Sequence, residues 1–400
     1  MLKRKIFVFI IIITILLPYN ISYGKNESLK LYSKSAALID GLNGSLLYGK
    51  NENVPLSMAS TTKIMTCIIA LESGNTNQYI TVSKKAENQP KVHLNIKEGE
   101  KYKLEDLLYS MMLESHNDSS VCIAEGVGGS VEEFAILMND KAKSLGLVDT
   151  YFITPNGLDA ETDETSHHTT AFELATIMRY CINISPKKEE FKKITQTKSY
   201  TFSNVNGNRT FTCNNHNTLF NMMDDVITGK TGYTSKAGYC YVGAIENEGR
   251  VYIVALLACG WPNNKNYKWK DAMALFDFGK KNFYYIDINS IELPDDIYGK
   301  RKIRFDNPYV NPVFLDVIIS EIYKKSDYAM VEDTSKLTIV YNTLDDCIAP
   351  YNVKESIGYV NYYLDNELVI AFQLYLSDNI NEPDYKYYLK NVTKLFVFGW

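Results

Sequence analysis

Strand-like stretches stand at both ends of a long run of helical periodicity, and that order restricts what the chain can fold into. Residues 35 to 49, Ser-Ala-Ala-Leu-Ile-Asp-Gly-Leu-Asn-Gly-Ser-Leu-Leu-Tyr-Gly, read as two short strands about an Asn43-Gly44 turn. Far downstream, Gly238 to Ile245 and Val251 to Cys259 read as a second hairpin around Asn247-Glu248-Gly249. Between them the apolar residues keep helical spacing: Ile64, Cys67, Ile68 and Leu71, stopped by Gly74; Leu104 to Met112; Val131, Phe134, Ala135, Met138, Ala142 and Leu145, stopped by Gly146; and about Ala171 to Cys181. A further helical pattern from about Lys268 to Phe283 closes the unit. The order of strands, helices, strands and helix predicts an α/β domain whose sheet is assembled from both ends of the segment.

After residue 286 the helical periodicity fades. Lys302 to Phe305, Leu337 to Tyr341, Gly358 to Leu364 and Glu367 to Leu374 look like strands broken by Pro, Asn and Asp, so residues 286–380 are expected to form a small β domain. In residues 381–400, Lys386, Lys390 and Lys394 fall four apart while Leu389, Val392, Leu395 and Phe396 share another arc, with Phe398 and Trp400 at the end. That pattern suits a basic amphipathic helix on a membrane surface; a helix packed on the β domain is the other reading.

The N-terminus points to export. Lys3-Arg4-Lys5 precedes an apolar run from Ile6 to Leu17 that only Thr14 interrupts, and Ser22-Tyr23-Gly24 offers small residues for cleavage, so residues 1–24 read as a signal peptide. The run is too short for the roughly 20 residues of a membrane span. Cleavage after Gly24 leaves 39 Lys+Arg against 47 Asp+Glu, a net charge of −8, which gives no electrostatic pull toward nucleic acid. The seven cysteines, at 67, 122, 181, 213, 240, 259 and 347, are widely spaced with no C-x-x-C pair, and imply neither a disulfide framework nor a zinc site. His93, His167, His168 and His216 show no H-E-x-x-H spacing and read as surface and loop histidines; no metal and no cofactor is expected.

Three short motifs carry the chemistry. Ser60 and Lys63, in Met58-Ala59-Ser60-Thr61-Thr62-Lys63, lie three apart at a helix start and share a face. A serine needs a base, and a lysine serves only if burial or a second cation pulls its pKa far below the ~10.4 of a free lysine. Alone, the pair also describes a serine N-cap followed by a surface lysine. Ser115-His116-Asn117 follows a helix, and Lys230-Thr231-Gly232 stands at the edge of the second strand region. Cleaving an amide next to a terminal carboxylate needs a nucleophile, a proton route to the leaving amine, an anchor for the carboxylate and an oxyanion hole. Ser60 and Lys63 supply the first, Ser115 can relay the proton, Asn117 can hold the substrate amide, and Lys230 with Thr231 can bind the carboxylate. Lys230 can also depress the pKa of Lys63. The reading of Gly229-Lys230-Thr231 as the end of a P-loop fails because Asp224 stands where a glycine is required.

The ordered triple Ser-x-x-Lys, Ser-x-Asn and Lys-Thr-Gly resembles the D-alanyl-D-alanine carboxypeptidases among the low-molecular-mass penicillin-binding proteins. Thr154-Pro155-Asn156-Gly157-Leu158-Asp159, His167-His168-Thr169-Thr170-Ala171 and Gly229 to Thr234 with Ala237-Gly238-Tyr239 extend the likeness across about residues 30 to 285. The resemblance implies a β-lactamase/DD-peptidase-like fold, an antiparallel sheet with helices and a mostly helical subdomain over residues 25–285, then the all-β domain. It implies acylation of Ser60 by peptidoglycan stem peptides ending in D-Ala-D-Ala and by β-lactams, Lys63 as base, an oxyanion hole from the backbone N–H groups of Ser60 and Tyr233, and work at the cell wall or the outer membrane face. A β-lactamase and a non-catalytic sensor of wall peptide or penicillin are the alternatives on the same fold. Two positions depart from the pattern. His116 stands where a small residue is implied and could add a pH-dependent charge near the site, and the 159–167 loop looks long.

Overall fold

The computed structural model describes residues 11–15, 29–306, 311–325, 328–332, 336–344, 346–364 and 366–398. The chain divides into two compact units, Gly24–Asn282 and a second made of Met1–Tyr23 with Phe283–Trp400.

In the first unit both expected hairpins form and meet. β1 (Ser35–Asp40) and β2 (Leu46–Lys50) join β5 (Val226–Thr234), β6 (Gly238–Asn247) and β7 (Arg250–Leu257) in an antiparallel sheet of order β2-β1-β7-β6-β5. The closing pair sets Ile39 opposite Ile253 and Ala37 opposite Ala255, so the first and last strands of the unit lie side by side. All six residues of β1 are buried, as are Tyr252 to Leu257 of β7, which explains why these strands read as continuous apolar runs. β5 is an edge strand, so half its backbone groups lie outside the ladder and can face a ligand.

The helices between are α1 (Lys63–Glu72), α2 (Leu104–Leu113), α3 (Asn117–Gly128), α4 (Val131–Ser144), α5 (Ala171–Arg179) and α6 (Lys188–Gln196), with α7 (Tyr267–Asn282) after the sheet. Every residue of α1 from Lys63 to Leu71 is buried, so the helix behind Ser60 is a core helix with no solvent face. Each of its Ile and Leu side chains contributes about 1.5–3 kcal/mol by leaving water, and that burial fixes the start of the helix. α3 forms around Cys122, which lies in an apolar helical pattern, although buried Ser119 and Ser120 interrupt the period in Asn-Asp-Ser-Ser-Val-Cys-Ile-Ala-Glu-Gly-Val-Gly. A small pair, β3 (Ser199–Ser203) with β4 (Thr210–Asn214), escaped the pattern.

The second unit holds the expected β structure. A sheet runs through Ile11–Ile15, Leu337–Thr343, Gly358–Leu364, Glu367–Leu376, Val313–Lys324, Lys300–Arg304 and Asp346–Ile348, over a core that includes Ile339, Val360, Tyr362 and Leu374. Tyr385–Phe398 is helical, while Trp400 and the greater part of the apolar run in residues 6–17 lie outside the described residues. Among the described residues, no helix is long and apolar enough to cross a membrane.

Candidate active site

Ser60 sits in a 3-10 turn, Ala59–Thr62, that runs directly into α1. Ala59 enters the turn with φ +49°, a left-handed conformation that costs a non-glycine residue about 1 kcal/mol or more and needs support around it. One turn on, Lys63 is fully buried. Its Nζ lies 2.9 Å from Ser60 Oγ, 2.9 Å from Asn117 Oδ1 and 2.6 Å from the Asn156 carbonyl oxygen. Burial drives its pKa well below that of a free lysine, the nearby Lys230 cation lowers it further, and Asp118 opposes both. A neutral amine has two hydrogens and one lone pair. Asn117 Oδ1 and the Asn156 carbonyl can only accept, so they take the hydrogens and leave the lone pair toward the Ser60 hydroxyl.

Ser115 and Asn117 arrive from the link between α2 and α3. Ser115 has φ +66°, which turns its hydroxyl toward the sheet, where Lys230 Nζ donates to its Oγ at 2.9 Å. Lys230 also donates to the Thr231 carbonyl at 3.0 Å. It lies on the buried face of β5, and burial lowers its pKa to about 7. Asn117 is 4 % exposed, behind the opening. Its Oδ1 is on Lys63 and its Nδ2 donates to the Pro90 carbonyl at 3.1 Å, so its amide is engaged by the protein at both ends.

Gly232 brings the edge strand against the nucleophile: a Cβ there would stand 2.9 Å from the Ser60 nitrogen and 3.1 Å from the Met58 carbonyl. This close approach places the backbone of β5 beside that of Ser60. Tyr233 follows with its ring 40 % exposed, 4.7 Å from that of Tyr239. Ser60, Ser115, Lys230, Thr231, Gly232 and Tyr233 line one cleft of about 390 Å³. The structure therefore brings Ser60, Lys63, Ser115, Asn117, Lys230, Thr231, Gly232 and Tyr233 to one place, with Lys63 and Asn117 in a second layer.

Two sequence expectations need correction. His116 adds no charge to the cleft near neutral pH. It stands at the N-cap position of α3 without a side-chain cap, its Nδ1 2.8 Å from Ser110 Oγ, and burial lowers its pKa to about 4 against the opposing pull of Asp118 and Glu114. His167 is not on the surface: it is 2 % exposed, and burial lowers its pKa to about 3. The 159–167 loop is held at its neck by an Ala160 carbonyl bond from the His167 N–H at 2.9 Å and by an ion pair between Glu161 and Lys236.

Other cleft residues carried no motif. Lys268, on α7, lines it with its Nζ 4.7 Å from the centroids of both Tyr239 and Trp269, and burial lowers its pKa to about 8. The signal that could have found it is a lysine inside an otherwise core-facing helical pattern. At the rim, Glu114 accepts from the Asn214 N–H at 2.8 Å and lies 2.5 Å from His216 Nε2. Burial would raise its pKa, but these two partners outweigh it and hold the carboxyl below the usual range. Asn156, whose backbone oxygen completes the Lys63 shell, is invisible to any reading of side chains. Among the described residues no cluster of His, Cys, Asp and Glu could hold a metal ion, and all seven cysteines are buried and free.

The family model for D-alanyl-D-alanine carboxypeptidases, Peptidase_S11, matches residues 23–259. The D-alanyl-D-alanine carboxypeptidase DacF of Bacillus subtilis (strain 168) is 26 % identical over 363 residues, 90 % of this chain and 88 % of that protein. The crystal structure of the D-alanyl-D-alanine carboxypeptidase DacD from Francisella tularensis superposes with a TM-score of 0.67 over 92 % of this chain and 98 % of that one; at 22 % identity this speaks for the fold. Penicillin-binding protein D2 from Listeria monocytogenes, in its cefotaxime-bound form, is 26 % identical with a TM-score of 0.56, covering 64 % of this chain and all of the other. With the family model matched over more than half its length, the chain belongs to the D-alanyl-D-alanine carboxypeptidase family of serine peptidases.

Proposed function

We propose that the protein is a serine-type D-Ala-D-Ala carboxypeptidase that removes the terminal D-alanine from peptidoglycan stem peptides and is acylated by β-lactams. The observation that carries this reading is the fully buried Lys63 amine 2.9 Å from Ser60 Oγ, with its two other partners restricted to accepting. Lys63 takes the Ser60 hydroxyl proton as Oγ bonds to the carbonyl carbon of the penultimate D-alanine. The oxyanion forms against the backbone N–H groups of Ser60 and Tyr233. The C–N bond then breaks, the proton passes by way of Ser115 to the departing D-alanine nitrogen, and the acyl-enzyme remains. Water, deprotonated by Lys63, hydrolyses the ester and returns Ser60.

The terminal carboxylate is assigned to Lys230, Thr231 and Gly232, with Lys268 as a further cation lining the same cleft. A pKa of about 7 leaves Lys230 part-neutral on its own; an arriving carboxylate favours the charged form and binds it. Asn117 orients Lys63 through Oδ1 and offers Nδ2, held by Pro90 at 3.1 Å, to the substrate amide. The basic n-region and apolar run support export with removal of residues 1–24, which includes the strand Ile11–Ile15. The mature chain then comprises a catalytic domain over residues 25–285, a β domain over 286–380 and a tail, 381–400, that associates with the membrane surface through its lysines and apolar arc, which puts the enzyme at the wall or the outer membrane face.

The test is release of D-alanine from diacetyl-lysyl-D-alanyl-D-alanine by the wild type and Ser60→Ala, with labelled penicillin in parallel. Release that needs Ser60, with the label on Ser60, is expected. Labelling without release would favour the sensor reading, and rapid loss of label with hydrolysed penicillin a β-lactamase. Neither signal from folded protein would overturn the mechanism.

A further inference from the structure

His167 is buried, is not among the cleft-lining residues, and has no step in the chemistry above, yet both ring nitrogens are engaged. Nδ1 accepts the Ile153 N–H at 3.0 Å. The proton of the neutral ring is therefore on Nε2, which donates to Thr62 Oγ1 at 2.8 Å, and Thr62 Oγ1 in turn donates to the Ala59 carbonyl at 2.8 Å. One end of this chain holds the left-handed Ala59 that presents Ser60. The other holds residues 153–157, and that segment supplies the groups that fix Lys63. Pro155 accepts from Thr66 on α1 at 2.6 Å and from Ser120 on α3 at 2.7 Å. The Asn156 carbonyl accepts from Lys63 Nζ at 2.6 Å. Gly157, at φ +81°, lies so close to the Ala59 carbonyl that no Cβ fits between them.

We propose that His167 is a positioning residue for acylation: with Thr62 it clamps residues 153–157 onto the Ala59–Thr62 turn and so sets the Asn156 carbonyl and the Lys63 amine against Ser60 Oγ. The inference rests on the acyl-enzyme reading of Ser60 and deepens it. The clamp acts on two backbone segments at once, so its loss displaces the base relative to the nucleophile without removing either. A misplacement near 1 Å costs on the order of 100-fold in rate.

The experiment measures the rate constant for acylation by labelled penicillin, with the final labelled fraction counting folded enzyme, in the wild type, Thr62→Val, His167→Asn, His167→Gln and the Thr62→Val/His167→Asn double variant. Thr62→Val keeps shape and removes the relay. Asn keeps an acceptor for Ile153 but cannot reach Thr62, whereas Gln restores a donor near the Nε2 position. Expected are acylation rates about 10- to 100-fold down in Thr62→Val and His167→Asn, with the labelled fraction near one and KM for the peptide little changed. The double variant should lose no more than the worse single one, and Gln should recover most of the rate. Variants that label less of the protein but at the wild-type rate would reduce His167 to a core residue and overturn the proposal, as would additive losses in the double variant. If His167→Asn does not fold, Thr62→Val and His167→Gln decide by the same rate constant. A wild type that takes no label at Ser60 overturns the acyl-enzyme reading, and this proposal with it.

Discussion

Lys230 Nζ donates to Ser115 Oγ at 2.9 Å, from the edge strand of the sheet to the left-handed residue between two helices. That single bond closes the cleft from opposite sides and joins the second sequence motif to the third. Ser115 thereby accepts from the Lys230 amine, which leaves its own proton free to be relayed. Ser115→Gly suits φ +66° and removes the hydroxyl, so it is expected to keep the melting temperature within a few degrees while lowering the acylation rate about 100-fold or more. Thermal melting and penicillin acylation on the same preparation check it.

The pH profile has opposing limbs. Acylation needs Lys63 neutral, and its pKa lies well below the ordinary lysine value, so kcat/KM rises as pH climbs through that depressed pKa. Carboxylate binding needs Lys230 charged, and its pKa is about 7, so the alkaline limb begins near neutrality. The expected profile is bell-shaped, and Lys230→Arg, which stays charged, should flatten the alkaline limb. The same shifts act on stability. Both folded-state values lie below the unfolded lysine value, so the unfolded chain binds more protons between the two, and stability rises with pH across that window. Urea unfolding at a series of pH values measures it.

His116, with a pKa of about 4, is neutral near pH 7 and above. His116→Asn is therefore expected to leave the shape of the kcat/KM profile between about pH 6 and 9 unchanged, whatever it does to the absolute rate through the lost Ser110 contact. A limb that moved would mean the imidazole titrates in the working range.

Gly157 is the backbone position with least room for change. Gly157→Ala forces an L side chain into φ +81° and against the Ala59 carbonyl, at an expected cost of about 3 kcal/mol or more. Chemical denaturation should show the loss, and the fraction that folds should acylate slowly, because the displaced group is the turn that carries Ser60.

Deleting residues 385–400 removes Lys386, Lys390 and Lys394 with the apolar arc, and is expected to abolish sedimentation with anionic vesicles while leaving D-alanine release within about twofold. Co-sedimentation at low and high salt, set beside the peptide assay, checks both halves.

The sequence by itself determined the elements whose signal is local. The Asn43-Gly44 hairpin, the α1, α2 and α4 periods and the β runs of the second unit are legible because turn chemistry and apolar spacing act within a few residues of one another. The three motifs were legible for the same reason, each being a short string of side chains. Tertiary structure decided everything that depends on backbone or burial. Asn156 contributes a carbonyl oxygen that every residue type carries, so nothing in its side chain announces the bond to Lys63. Lys63 and Lys230 are ordinary lysines until packing removes their water, which lowers both pKa values, that of Lys63 further through the nearby Lys230 charge. His116 looked titratable and His167 read as a surface or loop residue, and burial keeps both neutral near pH 7. β1 lies beside β7 although more than two hundred residues separate them; the order of strands, helices and strands implied a sheet built from both ends, and closing one core around α1 decided which strands pair and in what register.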